Sequence, residues 1–308
     1  MIKFLVLSLA AAIAMLSAHG TSPQWPQAVP RLLQAGLVDD ANPSADPTEE
    51  PCTGVSLTRG LKYGENEQNL LDVATLADKA STPRPVLLFV AGESFTNEGT
   101  SSDWALRAQA ICLAARHGMV GVTMAYRRAP ANPWPAGAKD VAAATSWVHQ
   151  NADLFGGDAK AIIAVGYSVG AFHLASFLAH PEFQETDSNL AGAVLVSGIY
   201  RPGDETNDGE RSYFGADASK YDDRSAFPGI LEVEAPIVLA WSLVDPPQLI
   251  SQGEKLKESL CGAGHCPRVA EVSDRDTPAS VFDLQGSGKS LAERTQQLIS
   301  QIEMRGLP

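Results

Sequence analysis

Val165-Gly166-Tyr167-Ser168-Val169-Gly170 follows directly on the apolar run Ala161 to Val165 and leads into Ala171 to His180. In that second stretch Phe172, Leu174, Phe177 and Leu178 recur at helical spacing. Gly-x-Ser-x-Gly between a strand and a helix is the pattern of a nucleophile elbow. A hydroxyl is lifted clear of a sheet only where the chain turns sharply from strand into helix, and flanking glycines remove the Cβ atoms that would collide in such a turn. Ser168 is therefore the candidate nucleophile, and its setting predicts an α/β fold.

Working outward, Met1-Ile2-Lys3, the apolar run Phe4 to Leu16 and Ser17-Ala18-His19-Gly20 have the make-up of a signal peptide, 1–20. The run is shorter than the roughly 20 apolar residues of a membrane span, so no stable membrane insertion is expected. A secreted or periplasmic location is. Without the leader the chain carries 22 Lys and Arg against 36 Asp and Glu, a net charge of -14. Such a surface disfavours nucleic acid and anionic membranes. Residues 21–52 hold Pro23, Pro26, Pro30, Pro43, Pro47 and Pro51 among polar residues and read as an irregular arm.

The remainder, 53–308, alternates strand-like and helical stretches. Strands are predicted at Val55 to Leu61, Asn69 to Leu76, Pro85 to Val90, Met119 to Tyr126, Ala161 to Val165, Leu190 to Val196 and Pro236 to Trp241. Helices are predicted at Asp103 to His117, Gly137 to Ala152, Ala171 to His180, Pro247 to Leu260 and Ser290 to Ile302. That alternation argues for a mostly parallel sheet covered on both faces. Residues 201–234, polar and aromatic with weak periodicity, read as a cap-like insertion over the site.

In an exported chain, Cys261 and Cys266 bracket a tight segment suited to a local disulfide, which would leave Cys52 and Cys112 to each other; the other pairings of four cysteines stay open. No cysteine and histidine spacing matches a zinc site. Nothing in the sequence calls for a metal or an organic cofactor.

Tyr126-Arg127-Arg128-Ala129-Pro130 with Pro133-Trp134-Pro135-Ala136-Gly137 and Asp140, then Phe155-Gly156-Gly157-Asp158, the elbow, Ser197-Gly198-Ile199-Tyr200, Tyr213-Phe214-Gly215 and Val244-Asp245-Pro246-Pro247 resemble, in order and spacing, the bacterial carboxylesterases related to hormone-sensitive lipase. The resemblance runs from about Tyr63 to Ile302. It implies the α/β-hydrolase fold and action on short or medium acyl esters. In such an enzyme Asp245, after an apolar strand, is the acid that orients a base.

Two positions depart from that pattern. Alignment of Val281-Phe282-Asp283-Leu284 with the family puts Thr277 where the triad histidine stands, and threonine is no base at neutral pH. His265, 20 residues after Asp245, is a weak substitute, because the intervening helix carries the chain about 20 Å away. His173 is expected to point away from Ser168 and to pack; His117, His149 and His180 sit at helix ends, and His19 lies in the leader. Asp274, Asp276 or Glu93 would need a raised pKa to act through water. The oxyanion hole is the second departure: Ala91-Gly92-Glu93-Ser94-Phe95 replaces His-Gly-Gly-Gly. The N–H groups of Gly92, Glu93 and Val169 are the candidate donors, with the Glu93 carboxylate opposing the charge they would stabilise. Two functions follow: an esterase working through Ser168, or an impaired pseudo-hydrolase that binds a small apolar ligand or a protein partner.

Overall fold

A computed structural model describes residues 52–77, 82–92, 94–96, 103–184, 189–203, 206–242 and 245–272. Eight strands form one sheet: β1 (Val55–Lys62), β2 (Leu70–Leu76), β3 (Arg84–Val90), β4 (Val120–Met124), β5 (Gly157–Tyr167), β6 (Gly192–Val196), β7 (Ile237–Ser242) and β8 (Arg268–Val272). Their order is β1-β2-β4-β3-β5-β6-β7-β8. β1 and β2 pair antiparallel, as do β2 and β4; every later pairing is parallel. The helices are α1 (Asp103–Arg116), α2 (Ala136–Asn151), α3 (Val169–Ala179), α4 (Asp208–Phe214) and α5 (Pro247–Gly262). This is the mostly parallel, doubly covered sheet that the alternation of patterns predicts, and the α/β-hydrolase architecture that the resemblance implies.

The central strands are apolar without a break because both faces of the sheet are covered. Alternate residues divide between two cores. Leu88, Val90, Ile162, Ala164, Leu195 and Leu239 join one core with residues of α2, α3 and α5, while Leu87, Phe89, Ile163, Val165, Val194 and Val238 join the other with Ala110 and Ala114 of α1. The crossing of α1 over β4 is close. A Cβ on Gly121 would lie 2.7 Å from the Ile111 Cα, so no larger residue fits there.

Two elements lie outside the predicted set. β8 is a five-residue strand in which Arg268 and Glu271 interrupt the apolar residues, and α4 gives the insertion a helix with a capping box between Asn207 and Glu210. The short α4 is set by its cap and by burial of Tyr213 and Phe214 rather than by a repeating apolar face. The leader, residues 21–51 of the arm and the predicted helix Ser290 to Ile302 lie outside the described residues. No helix among the described residues is long and apolar enough to cross a membrane.

The structure joins Cys52 to Cys112 and Cys261 to Cys266. The first bridge ties the entry to β1 onto α1 in a small core with Val55, Ala74, Ala108 and Ile111. The second closes the turn after α5. Loop closure scales with the chain enclosed, and the separations are 60 and 5 residues. Replacing the first pair by serine is expected to cost about 4 kcal/mol of unfolding free energy and the second about 2 kcal/mol. Urea unfolding of the two double variants checks both the sizes and their order.

Candidate active site

Ser168 leaves the central strand β5 with φ 53° and ψ -117°, a left-handed backbone that a side chain ordinarily avoids. Its N–H still donates to the Val196 carbonyl of β6 at 2.8 Å, while its own carbonyl accepts from the Ala171 and Phe172 N–H groups at 3.0 and 3.2 Å. Strand pairing ends and helix bonding begins on this one residue. The flanking glycines are required by contact: a Cβ on Gly166 would lie 2.6 Å from the Ala171 Cα, and one on Gly170 would lie 2.5 Å from the Ala91 oxygen.

The loop after β3 runs beside the serine. A Cβ on Gly92 would sit 2.5 Å from the Tyr167 ring and 2.8 Å from the Ser168 Cβ, so this position accepts only glycine. The loop is fixed at both ends. The Tyr126 hydroxyl donates to the Ala91 carbonyl at 3.1 Å, and Phe95 stacks on Tyr213 at 4.9 Å and meets Phe172 and Phe214 edge-on. Val169 opens α3, where the first N–H groups have no partner within the helix. Glu93 lies outside the described residues.

Asp245 follows β7 on the same carboxyl edge of the sheet and is half-buried. Its Oδ2 accepts from the Ser197 hydroxyl at 2.6 Å and from the Ser242 N–H at 2.9 Å. Burial, and after it the Asp245 charge, push the Tyr167 phenol above its ordinary range, so the carboxylate stands near the residue that precedes Ser168. The structure thus gathers Ser168, Gly92, Val169 and Asp245 at the carboxyl edge of the parallel strands, the edge at which open α/β sheets bind ligands.

His265 is elsewhere. The pairings Tyr167 with Val196, Val196 with Ala240 and Ala240 with Ala270 set the carboxyl edge, and His265 precedes β8 at the opposite edge, exposed to solvent. Thr277, Asp274 and Asp276 lie outside the described residues. The other described histidines stand away from the serine. His149 Nε2 lies 2.6 Å from the Asn189 oxygen, and His180 has the Glu182 carboxylate and the Ser225 carbonyl each at 2.9 Å. His117 stands in the turn between α1 and β4, at the amino edge.

His173 is buried with Phe95, Tyr126, Phe172 and Tyr213 around it, its Nδ1 3.4 Å from the Tyr213 hydroxyl. Burial first, and the Arg128 charge second, lower its pKa to about 3. It is a neutral packing residue. The insertion is fastened to the same cluster: the Tyr213 hydroxyl accepts from the Gly137 N–H at 3.2 Å, and its carbonyl accepts from the Trp134 N–H at 2.9 Å. Below it, Arg127 and the buried Asp140 form an ion pair of 2.7 Å that raises the guanidinium pKa. Sequence reasoning gave no role of its own to Ser197, Tyr126, Phe95 or Tyr213. Ser197 carried one usable signal, a polar residue closing an otherwise apolar strand.

A family model described as BD-FAE matches residues 71–197. Esterase LipQ of Mycobacterium tuberculosis is 32% identical over 254 residues, 77% of this chain and 55% of LipQ. Esterase LipC of the same organism is 33% identical over 153 residues, 46% of this chain and 36% of LipC. The chain therefore spans about half the length of the first relative and about a third of the second. Among solved structures, esterase B from Lactobacillus rhamnosis carrying a tributyrin phosphonate superposes with a TM-score of 0.67 at 15% identity, over 96% of both chains. A truncated carbohydrate esterase from gut microbiota gives 0.66 at 16% identity, over 81% of this chain and 96% of the other. At such identities the likeness is one of fold.

The depressed pKa of His173 fixes a pH dependence. The unfolded imidazole takes up a proton near pH 6.5 that the folded one refuses until about pH 3, so the unfolded state binds more protons in that window. Stability is expected to fall as pH drops from 6.5 towards 3, with His173 contributing about 1.4 kcal/mol per pH unit. Urea unfolding between pH 7 and pH 4.5 should be flatter in His173→Gln; equal slopes would overturn the neutral imidazole.

Proposed function

The chain belongs to the α/β-hydrolase superfamily, among relatives of the carboxylesterases akin to hormone-sensitive lipase, and from that premise we propose that it cleaves carboxylic esters with Ser168 as nucleophile. The observation that carries this reading is the backbone of Ser168, held at φ 53° where it presents a hydroxyl at the carboxyl edge. A non-glycine residue there costs about 1–3 kcal/mol, a strain that surrounding structure must outweigh and that marks functional positions. An idle surface hydroxyl has no need of it.

In the proposed reaction the Ser168 oxygen adds to the ester carbonyl as its proton passes to a base, and the tetrahedral adduct collapses to acyl-serine as the leaving oxygen takes up that proton and departs as the alcohol. Water then adds to the acyl-serine, giving a proton to the same base, and collapse of the second adduct frees the acid and returns the proton to Ser168. The N–H groups of Val169 and Gly92, with that of Glu93, are the candidate donors to the oxygen that becomes negative; donors of this kind are worth about 10²–10³ in turnover each. Asp245 supplies the carboxylate that orients a base and offsets its charge. Substrates are small esters with short or medium acyl groups, and the two disulfides support an exported protein.

The base sets the rate. Beyond Asp245 the sequence holds one histidine, His265, and it stands at the opposite edge of the sheet, which favours a second reading of the protein as an impaired hydrolase that binds such ligands. Loss of a triad histidine costs on the order of a millionfold, leaving about a thousandfold over water. Turnover is therefore expected to be slow and to depend on Ser168. With p-nitrophenyl acetate and butyrate, Ser168→Ala should abolish release of p-nitrophenol, His265→Ala should leave it unchanged, and Thr277→His should raise it by about a hundredfold or more. Hydrolysis that survives Ser168→Ala would refute the assignment; ligand binding with no acyl adduct on Ser168 by mass spectrometry would favour the binding module.

A further inference from the structure

Ser197 repeats the backbone anomaly of Ser168 one strand away. It closes β6 with φ 49°, is buried, and its N–H donates to the Ala240 carbonyl of β7 at 2.8 Å, as the N–H of Ser168 donates to β6. A second left-handed side-chain residue at the same edge carries its own strain. Its hydroxyl does not point to solvent or back to its own strand. It donates to Asp245 Oδ2 at 2.6 Å, a short bond of the charge-assisted kind.

We propose that Ser197 is a positioning residue that fixes the Asp245 carboxylate for the reaction at Ser168. Asp245 stands in a turn three residues past β7, and among the described residues that turn gives its carboxylate one bond, from the Ser242 N–H. A single bond to Oδ2 leaves the carboxyl plane free to rotate about it. The Ser197 hydroxyl, arriving on the same oxygen from the neighbouring strand, removes that freedom and directs Oδ1 to whatever accepts the Ser168 proton. The left-handed φ is what aims the hydroxyl sideways across the strand ends, since an extended residue would send it to one face of the sheet.

This rests on the esterase reading, and the test separates the two. Full-length wild type and Thr277→His are treated with a p-nitrophenyl alkylphosphonate, which phosphonylates a nucleophilic serine once, and the burst of p-nitrophenol gives the maximal rate and the half-saturating concentration without turnover. Ser197→Ala removes the hydroxyl and keeps the backbone strain; Ser197→Gly removes both. Each is expected to lower the maximal rate about tenfold to a hundredfold, the worth of a bond to a charged group, with half-saturation unchanged. Equal losses in the two variants assign the effect to the hydroxyl. In an Asp245→Ala background the Ser197 substitutions should cost nothing further, whereas a purely structural role would add. Parental rates in both Ser197 variants beside a slow Asp245→Ala, or additive losses, would overturn this role alone. A fast Asp245→Ala, or no adduct on Ser168, would overturn the esterase reading and the role of Ser197 together.

Discussion

The strained turn at Ser168 is the constraint around which the molecule is arranged. A left-handed residue persists only if its neighbours leave the chain no easier path. Here the neighbours are backbone: Ala171 lies against Gly166, the Ala91 carbonyl against Gly170, and the Val196 carbonyl takes the N–H of Ser168 itself. None of these is a flexible side chain that could move aside. The strand order matters for that reason, because β5 must run between β3 and β6 for both to press on the turn.

The same packing sets the rest of the edge. Gly92 reaches Ser168 because Tyr126 holds Ala91 and because Phe95 is locked into rings contributed by α3 and α4. The insertion is thereby part of the scaffold. Its helix is bound to the N-terminal turn of α2 through Tyr213, and His173 fills the space between them with an imidazole kept uncharged. Aromatic rings packed around Phe95 anchor that end of the loop at little entropic cost.

Much of this is legible in the residues before any coordinates. The elbow, the buried strands and the helices that cover them are local patterns, each read within a window of a dozen residues. The order of strands is not local, and neither are the contacts that finish the site. Ser197 and Asp245 are 48 residues apart, and Tyr126 and Ala91 are 35 apart. A serine at a strand end has several local explanations, and only the approach of β7 selects among them. β8 was hidden because Arg268 and Glu271 interrupt its apolar residues. His265 is the converse case: its helix span argued against reach, and the parallel pairing of β7 with β8 puts it at the other end of the sheet.

The Cys52 to Cys112 bridge has a consequence for the covalent integrity of the chain. It encloses β1, β2, β3 and most of α1, so a peptide bond cut anywhere between the two cysteines yields two fragments that remain one molecule. Such a nicked chain keeps its mass in a non-reducing separation and divides only when a thiol is added. β1, the first strand in the sheet order, also gains from the tether. A strand tethered at its start resists peeling from β2, which would expose a further edge for a second chain to pair with.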